Sequence, residues 1–177
     1  MCIETYELRF KIFNIQAIKN EILNYFGTEN YCFSKYFIKD IYINNNYKHL
    51  ENIRLRIQNN KKYLIYKKNK YSYISIKDVF YILELENFFF LKKDIFFIAE
   101  KNRIEYNFIN FKILIDTNIK IKINNDVMYY ENIIEFEYYK YENKDRIEKI
   151  IKFFEKKELI SSINIKSTYQ RILDETS

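Results

Sequence analysis

The sequence predicts an α+β protein with a mainly antiparallel sheet, and three observations carry that expectation. Apolar and charged residues alternate at period two in six or more segments, the pattern of strands whose two faces differ. Two segments repeat at helical period instead, one before and one after most of the strands. Asparagine clusters separate the segments, with Gly27 the only glycine and no proline in the chain. Asparagine tolerates left-handed backbone and bonds its own turn, so it punctuates here where glycine and proline usually do.

The elements follow in order. In residues 5–13 the even positions Tyr6, Leu8, Phe10 and Ile12 are apolar, while Glu7, Arg9 and Lys11 fall together on the other face of a strand. Residues 15–26 carry Ile18, Ile22 and Leu23 at helix spacing and stop at Gly27, a left-handed cap. Asn44-Asn45-Asn46 reads as a turn, followed by Ile53-Arg54-Leu55-Arg56-Ile57 with both arginines on one face, and Asn59-Asn60 as the next turn. The alternation resumes at Ile65 and Lys67, and residues 76–86 read as a short helix. Lys101, Arg103 and Glu105 share a strand face, as do Leu114 and Asp116, with turns at 107–110 and 124–125. Glu135 and Glu137 alternate with Ile134, Phe136 and Tyr138, and residues 144–159 form a second amphipathic helix on Ile147, Ile150, Ile151 and Phe154.

A chain of 177 residues suits one domain over 1–177 with a core of its own. Its scarce residues exclude several chemistries. One glycine cannot build a P-loop or a dinucleotide fingerprint. Cys2, Cys32 and the single histidine, His49, cannot supply paired zinc-finger ligands, a CxxC redox site or an HExxH helix. Catalysis must rest on carboxylates, lysines and arginines, and His49 is expected to be exposed and without a role. So few cysteines suggest buried free thiols in a reducing, cytoplasmic setting. No signal peptide or membrane span is expected: Glu4 and Glu7 interrupt the start, and Lys92 and Lys93 cut the apolar run at Phe88-Phe89-Phe90-Leu91. The formal net charge of +6 suggests an anionic partner, or equally a compositional bias toward Lys, Asn and Ile. The 18 Tyr and 16 Phe sit mostly on the even, apolar strand faces, which favours core over a stacking platform for single-stranded nucleic acid.

Charged faces repeated on every strand have two readings. They face water on one side of an open sheet, or they converge inside a sheet closed into a barrel. In the second case the cavity would be lined with Arg, Lys and a few carboxylates, able to hold a chain of linked phosphates. Carboxylates there would repel a polyanion unless they held a divalent ion such as magnesium or manganese, which take oxygen ligands.

The order Tyr6-Glu7-Leu8-Arg9-Phe10-Lys11, Asp40-Ile41-Tyr42, Arg54-Leu55-Arg56, Leu64-Ile65-Tyr66-Lys67, Lys101-Asn102-Arg103, Asp116, Ile134-Glu135-Phe136-Glu137 and Ser167-Thr168-Tyr169-Gln170-Arg171-Ile172-Leu173 resembles the CYTH superfamily, the triphosphate tunnel metalloenzymes. The resemblance spans nearly the whole chain and implies an α+β fold built as an antiparallel eight-stranded β tunnel (barrel) flanked by helices. It further implies metal ligation (Mg2+ or Mn2+) by Glu7, Glu135 and Glu137, phosphate binding by Arg9, Lys11, Arg54, Arg56, Lys67, Lys101 and Arg103, and catalytic parts for Asp116 and Arg9. The implied activity is that of a class IV-like adenylyl cyclase, forming cyclic AMP and pyrophosphate from ATP. Its alternatives are hydrolysis of inorganic triphosphate, thiamine triphosphate or an RNA 5′-triphosphate, and a non-catalytic polyphosphate or nucleotide binder. The implied partner is ATP or another small molecule bearing a triphosphate, with no membrane, no nucleic acid other than an RNA 5′ end, and a homodimer left open. Three departures stand out: Thr5 occupies the place of the first glutamate in the ExExK signature, Arg9 replaces its lysine, and Ser72 stands where many members have a further glutamate. Thr5→Glu is expected to add a hard oxygen ligand for the metal.

Overall fold

The structure is a computed structural model, and it describes residues 2–27, 31–43, 51–71, 76–85, 95–139, 143–163 and 165–176. Its elements in chain order are β1 (Cys2–Lys11), α1 (Ile15–Phe26), β2 (Cys32–Ile43), β3 (Glu51–Gln58), β4 (Lys61–Tyr71), β5 (Ile76–Leu85), β6 (Ile95–Asn107), β7 (Phe111–Ile123), β8 (Asp126–Tyr130), β9 (Ile133–Tyr138), α2 (Lys144–Lys156) and α3 (Thr168–Thr176). The strand pairings are antiparallel throughout, in the order β6-β2-β3-β4-β5-β1-β9-β7-β8, and β6 pairs β7 as well. That extra pairing returns the order to its first strand, so eight strands make the expected tunnel. The ninth, β8, is an addition. It pairs with the second half of β7, from Ile119 to Ile123, beyond the stretch that pairs with β9.

Alternation decides which residues face the tunnel. The even residues Phe10 on β1 and Ile12 just past its end join Ile104, Ile113, Ile134 and Phe136 in one buried cluster with the inner faces of α1 and α2. The odd residues Glu7 and Arg9 turn the other way, into the barrel. A sheet with helices outside and ionic groups inside inverts the usual oil-drop order, and burial of the outer faces under helices makes that possible.

The helices form as their patterns predict. Asn14 caps α1 by accepting from the Ala17 amide at 3.0 Å, and Gly27 ends it at φ 54° with its N–H on the Leu23 carbonyl at 2.8 Å. Helix α1 buries Ile18, Ile22 and Phe26, whereas Leu23, one residue off that stripe, is exposed. Helix α2 buries Ile147, Ile150, Ile151 and Phe154. Helix α3 places Tyr169 and Ile172 against Tyr42, Phe97, Ile119, Ile121 and Ile133, a second apolar cluster at one end of the tunnel.

Two expectations are corrected. Residues 76–85 form β5, not a helix, because their run of Ile76, Val79, Phe80, Tyr81 and Ile82 favours a strand and both neighbours β4 and β1 supply pairing edges. Cys32 is exposed, since it opens β2, whose first four residues are all exposed. The turn at 44–46, His49, Ser72, Glu86 and the run 88–93 lie outside the described residues. Asn59, Asn60 and Asn124 take positive φ as expected. Among the described residues no helix is long and apolar enough to cross a membrane.

Candidate active site

The ring encloses a cavity of about 370 Å³. Of the residues singled out in the sequence, Glu7, Arg9, Arg54, Arg56, Lys67, Lys101, Arg103, Asp116, Glu135 and Glu137 line it. Lys11 does not. It closes β1, is exposed, and lies near Glu131 at the rim, because its strand leaves the ring there and pairs with the segment at Ser161.

Two buried aspartates organise the cations on one side. Asp40 accepts from Arg56 Nε and Nη2, both at 2.8 Å, and stands 3.8 Å from Arg54 Nε. Arg54 in turn donates from Nη1 to the Tyr42 hydroxyl at 2.9 Å, while its buried Nε has no hydrogen-bond partner among the described residues. Asp116 accepts from Arg103 Nε at 2.6 Å and Nη2 at 2.7 Å, and also from Lys101 Nζ. A bulge lies beside Lys101, where the β6–β7 register shifts between Glu100 and Asn102 opposite Asn118 at φ 54°; bulges of this kind re-aim side chains. Burial would raise both aspartates, but the guanidinium and ammonium groups outweigh it and hold them below the usual carboxylate range. Lys101 goes the other way: burial and the neighbouring Arg103 bring it down to about 8 against the pull of Asp116. Four cations thus share two carboxylates, leaving a formal surplus of two positive charges on this side.

The other side is acidic. The β1–β9 register sets Glu7 opposite Glu137 and Arg9 opposite Glu135. Glu7, Glu135 and Glu137 each offer a carboxylate oxygen within 4.8 Å of the others. Arg9 Nε donates to Glu135 at 2.8 Å, its Nη2 contacts Glu7, and Lys67 Nζ donates to Glu7 at 2.9 Å. Burial raises Glu137, and the charge of Glu135 adds to it; burial opposes ionisation of Glu135 too, yet Arg9 and Arg103 hold it well below the usual range. This hard-oxygen set fits magnesium or manganese. Thr5 is fully buried with no hydrogen-bond partner for its hydroxyl among the described residues, and it is not part of the cavity wall.

Several wall residues carried no assignment in the sequence. Lys112 donates to Glu105 at 3.1 Å, and Tyr36 donates to the same carboxylate. Their signal was the alternation itself, since Lys112 extends the face of Leu114 and Asp116, and Tyr36 that of Asp40 and Tyr42. Asp40 was visible only as part of the Asp-Ile-Tyr run.

No family model and no curated protein matches the sequence. Solved structures do match in fold. A protein of Pyrococcus horikoshii is 18% identical with a TM-score of 0.62, over 96% of this chain and 99% of that one. A candidate adenylate cyclase of Vibrio parahaemolyticus is 14% identical with a TM-score of 0.64, over 97% and 98%. A candidate adenylyl cyclase of Hippeastrum, described as having a dominant triphosphatase activity, is 11% identical with a TM-score of 0.59, over 98% and 96%. The likeness to these structures is one of fold, and it extends over almost the whole chain.

Proposed function

We propose that the protein is a metal-dependent enzyme that cleaves a triphosphate held inside the tunnel. The observation that carries this reading is the division of one cavity into a wall with surplus arginine and lysine and a wall with three convergent carboxylates. Arg54, Arg56, Arg103 and Lys101 would hold the phosphate chain, with Asp40 and Asp116 acting as positioning residues that fix the arginine forks before substrate arrives. This gives Asp116 a supporting part in place of a catalytic one, because both its oxygens are already engaged by Arg103 and Lys101. Glu7, Glu135 and Glu137 would hold magnesium or manganese, which supplies charge neutralisation of the phosphate oxygens when bound.

Water is the nucleophile we favour, making the protein a triphosphatase. Tyr42, a cavity-wall ring beside Arg54, is already stacked on Phe97 at 4.2 Å and on Tyr169 at 5.5 Å, with Arg54 lying 5.6 Å from its centroid. Its stacking is thus already satisfied within the protein, which makes it a poor platform for a purine. The second reading, cyclisation of ATP to cyclic AMP and pyrophosphate, draws on the near full-length likeness to candidate adenylate cyclases. Incubation of the purified protein with inorganic triphosphate and with ATP, each with magnesium or manganese, separates the two by product: free phosphate for the first, cyclic AMP for the second. Glu135→Ala should reduce either activity at least about a hundredfold, the scale of losing one transition-state electrostatic contact. Turnover that survives both a chelator and Glu135→Ala would contradict the metal assignment.

A further inference from the structure

The carboxylates suited to a divalent ion already hold a cation of the protein's own. One guanidinium, that of Arg9, spans Glu135 and Glu7, and Lys67 bonds the same Glu7 oxygen that Arg9 contacts. Arg9, Glu7 and Glu135 are all more than nine-tenths buried. The strand register builds the bridge: Glu7 precedes Arg9 by two residues on the same face, and Glu135 lies directly across from it. A planar fork can reach two carboxylates at once, which a lysine ammonium at the same place would do poorly, and arginine does not lose its proton.

A guanidinium and a divalent ion set between the same carboxylates repel each other, and the lone pairs that Arg9 engages are not open to the ion. With Arg9 and Lys67 in place, three carboxylates face two cations, a formal charge of −1 without metal. Adding a divalent ion on top would reverse it to +1 and crowd three cations together. Moving Arg9 away while the ion enters leaves the ion and Lys67 balancing the three carboxylates. Phosphate oxygens are acceptors that match the departing fork, and the arginine-rich wall would bring them into the same cavity.

We propose that Arg9 is a resident cation that keeps the Glu7, Glu135 and Glu137 cluster closed to metal until a triphosphate draws the guanidinium off, so that ion and triphosphate bind together. The inference rests on the triphosphate reading for its trigger, and on the Arg9 bridge alone for its competition with metal. Arg9 is in this account a residue that sets binding order and excludes free metal.

The test is Mn2+ binding, followed by the electron paramagnetic resonance signal of the free ion, without any phosphate. Arg9→Gln should bind Mn2+ at least about tenfold tighter than the wild type, within the usual span of coupling between two ligands. Arg9→Lys, which keeps the charge but loses the bridge, should fall between them. Glu137→Gln in the Arg9→Gln background should cancel the gain, tying the ion to this cluster. Equal or weaker Mn2+ binding by Arg9→Gln overturns the proposal, and if that variant does not fold, equal or weaker binding by Arg9→Lys does so. A separate arm adds imidotriphosphate to the wild type at fixed free Mn2+. Tighter Mn2+ binding supports the trigger, whereas unchanged binding there, alongside a gain in Arg9→Gln, overturns the trigger; imidotriphosphate that still binds by calorimetry then leaves the triphosphate reading standing, and imidotriphosphate that does not bind marks that reading as the half that failed.

Discussion

At the scale of single residues the cavity is governed by two buried aspartates that each carry a cation pair. Breaking such a buried pair from one side leaves the other charge unpaired, at a cost of about 3–5 kcal/mol. Asp40→Asn should therefore lower stability by roughly that much in denaturant titration, and it should weaken triphosphate binding because Arg56 and Arg54 lose their common anchor. Lys101 gives a pH signature. With its pKa brought down to about 8, it is a cation below that pH and neutral above it, so triphosphate affinity should fall as pH rises through about 8. Asp116 pulls that value up, so Asp116→Asn should shift the fall to lower pH, as read by titrating affinity against pH in both proteins. The same depression has a stability sign. Between about 8 and the ordinary lysine value the unfolded chain holds a proton that the folded chain has lost, so the contribution of Lys101 to stability rises with pH across that window. Most of these side chains were legible in the sequence, since charge repeated at odd positions names the inward face. Lys11 obeyed the same alternation and still missed the cavity, because periodicity gives a face but not where along its strand the ring ends.

At the scale of elements, β1 and α3 set the limits of the site. Thr5 shares the parity of Glu7 and Arg9, which led to the expectation that a glutamate there would add a metal ligand. Its complete burial outside the cavity wall changes the expected outcome: Thr5→Glu should destabilise the protein through a buried charge and leave Mn2+ affinity unimproved, which a thermal melt and a metal titration on the same sample would check. Helix α3 shows in the sequence only as the motif from Ser167 to Leu173. Its Tyr169 is 4% exposed and stacks on Tyr42, so Tyr169→Ala should cost about 3–5 kcal/mol by analogy with other large aromatic truncations. Strand β5 was the element that the sequence misled, because a short apolar run at 76–86 satisfies a helical and a strand pattern alike. Only the open edges of β1 and β4 decide between them.

At the scale of the whole molecule, closure is the property that turns ordinary amphipathic strands into a site. The pairing of β6 with β7 could not be read from periodicity, which is satisfied equally by an open sheet with a wet face; the ordered set of motifs supplied it. The added β8 hairpin gave no comparable signal, since Val127, Tyr129 and their neighbours alternate weakly and Val127 and Tyr129 are exposed. Once the ring is closed, the outer aromatics become core under α1 and α2 and the inner charges face a narrow cavity in place of bulk solvent. They must pair with one another or with a ligand. The direct test is a crystal structure with imidotriphosphate and Mn2+, using the anomalous signal of the ion. The account predicts phosphates inside the tunnel against Arg54, Arg56 and Arg103, with manganese at Glu7, Glu135 and Glu137. Phosphate bound only to outer lysines, or manganese away from those three carboxylates, would contradict it.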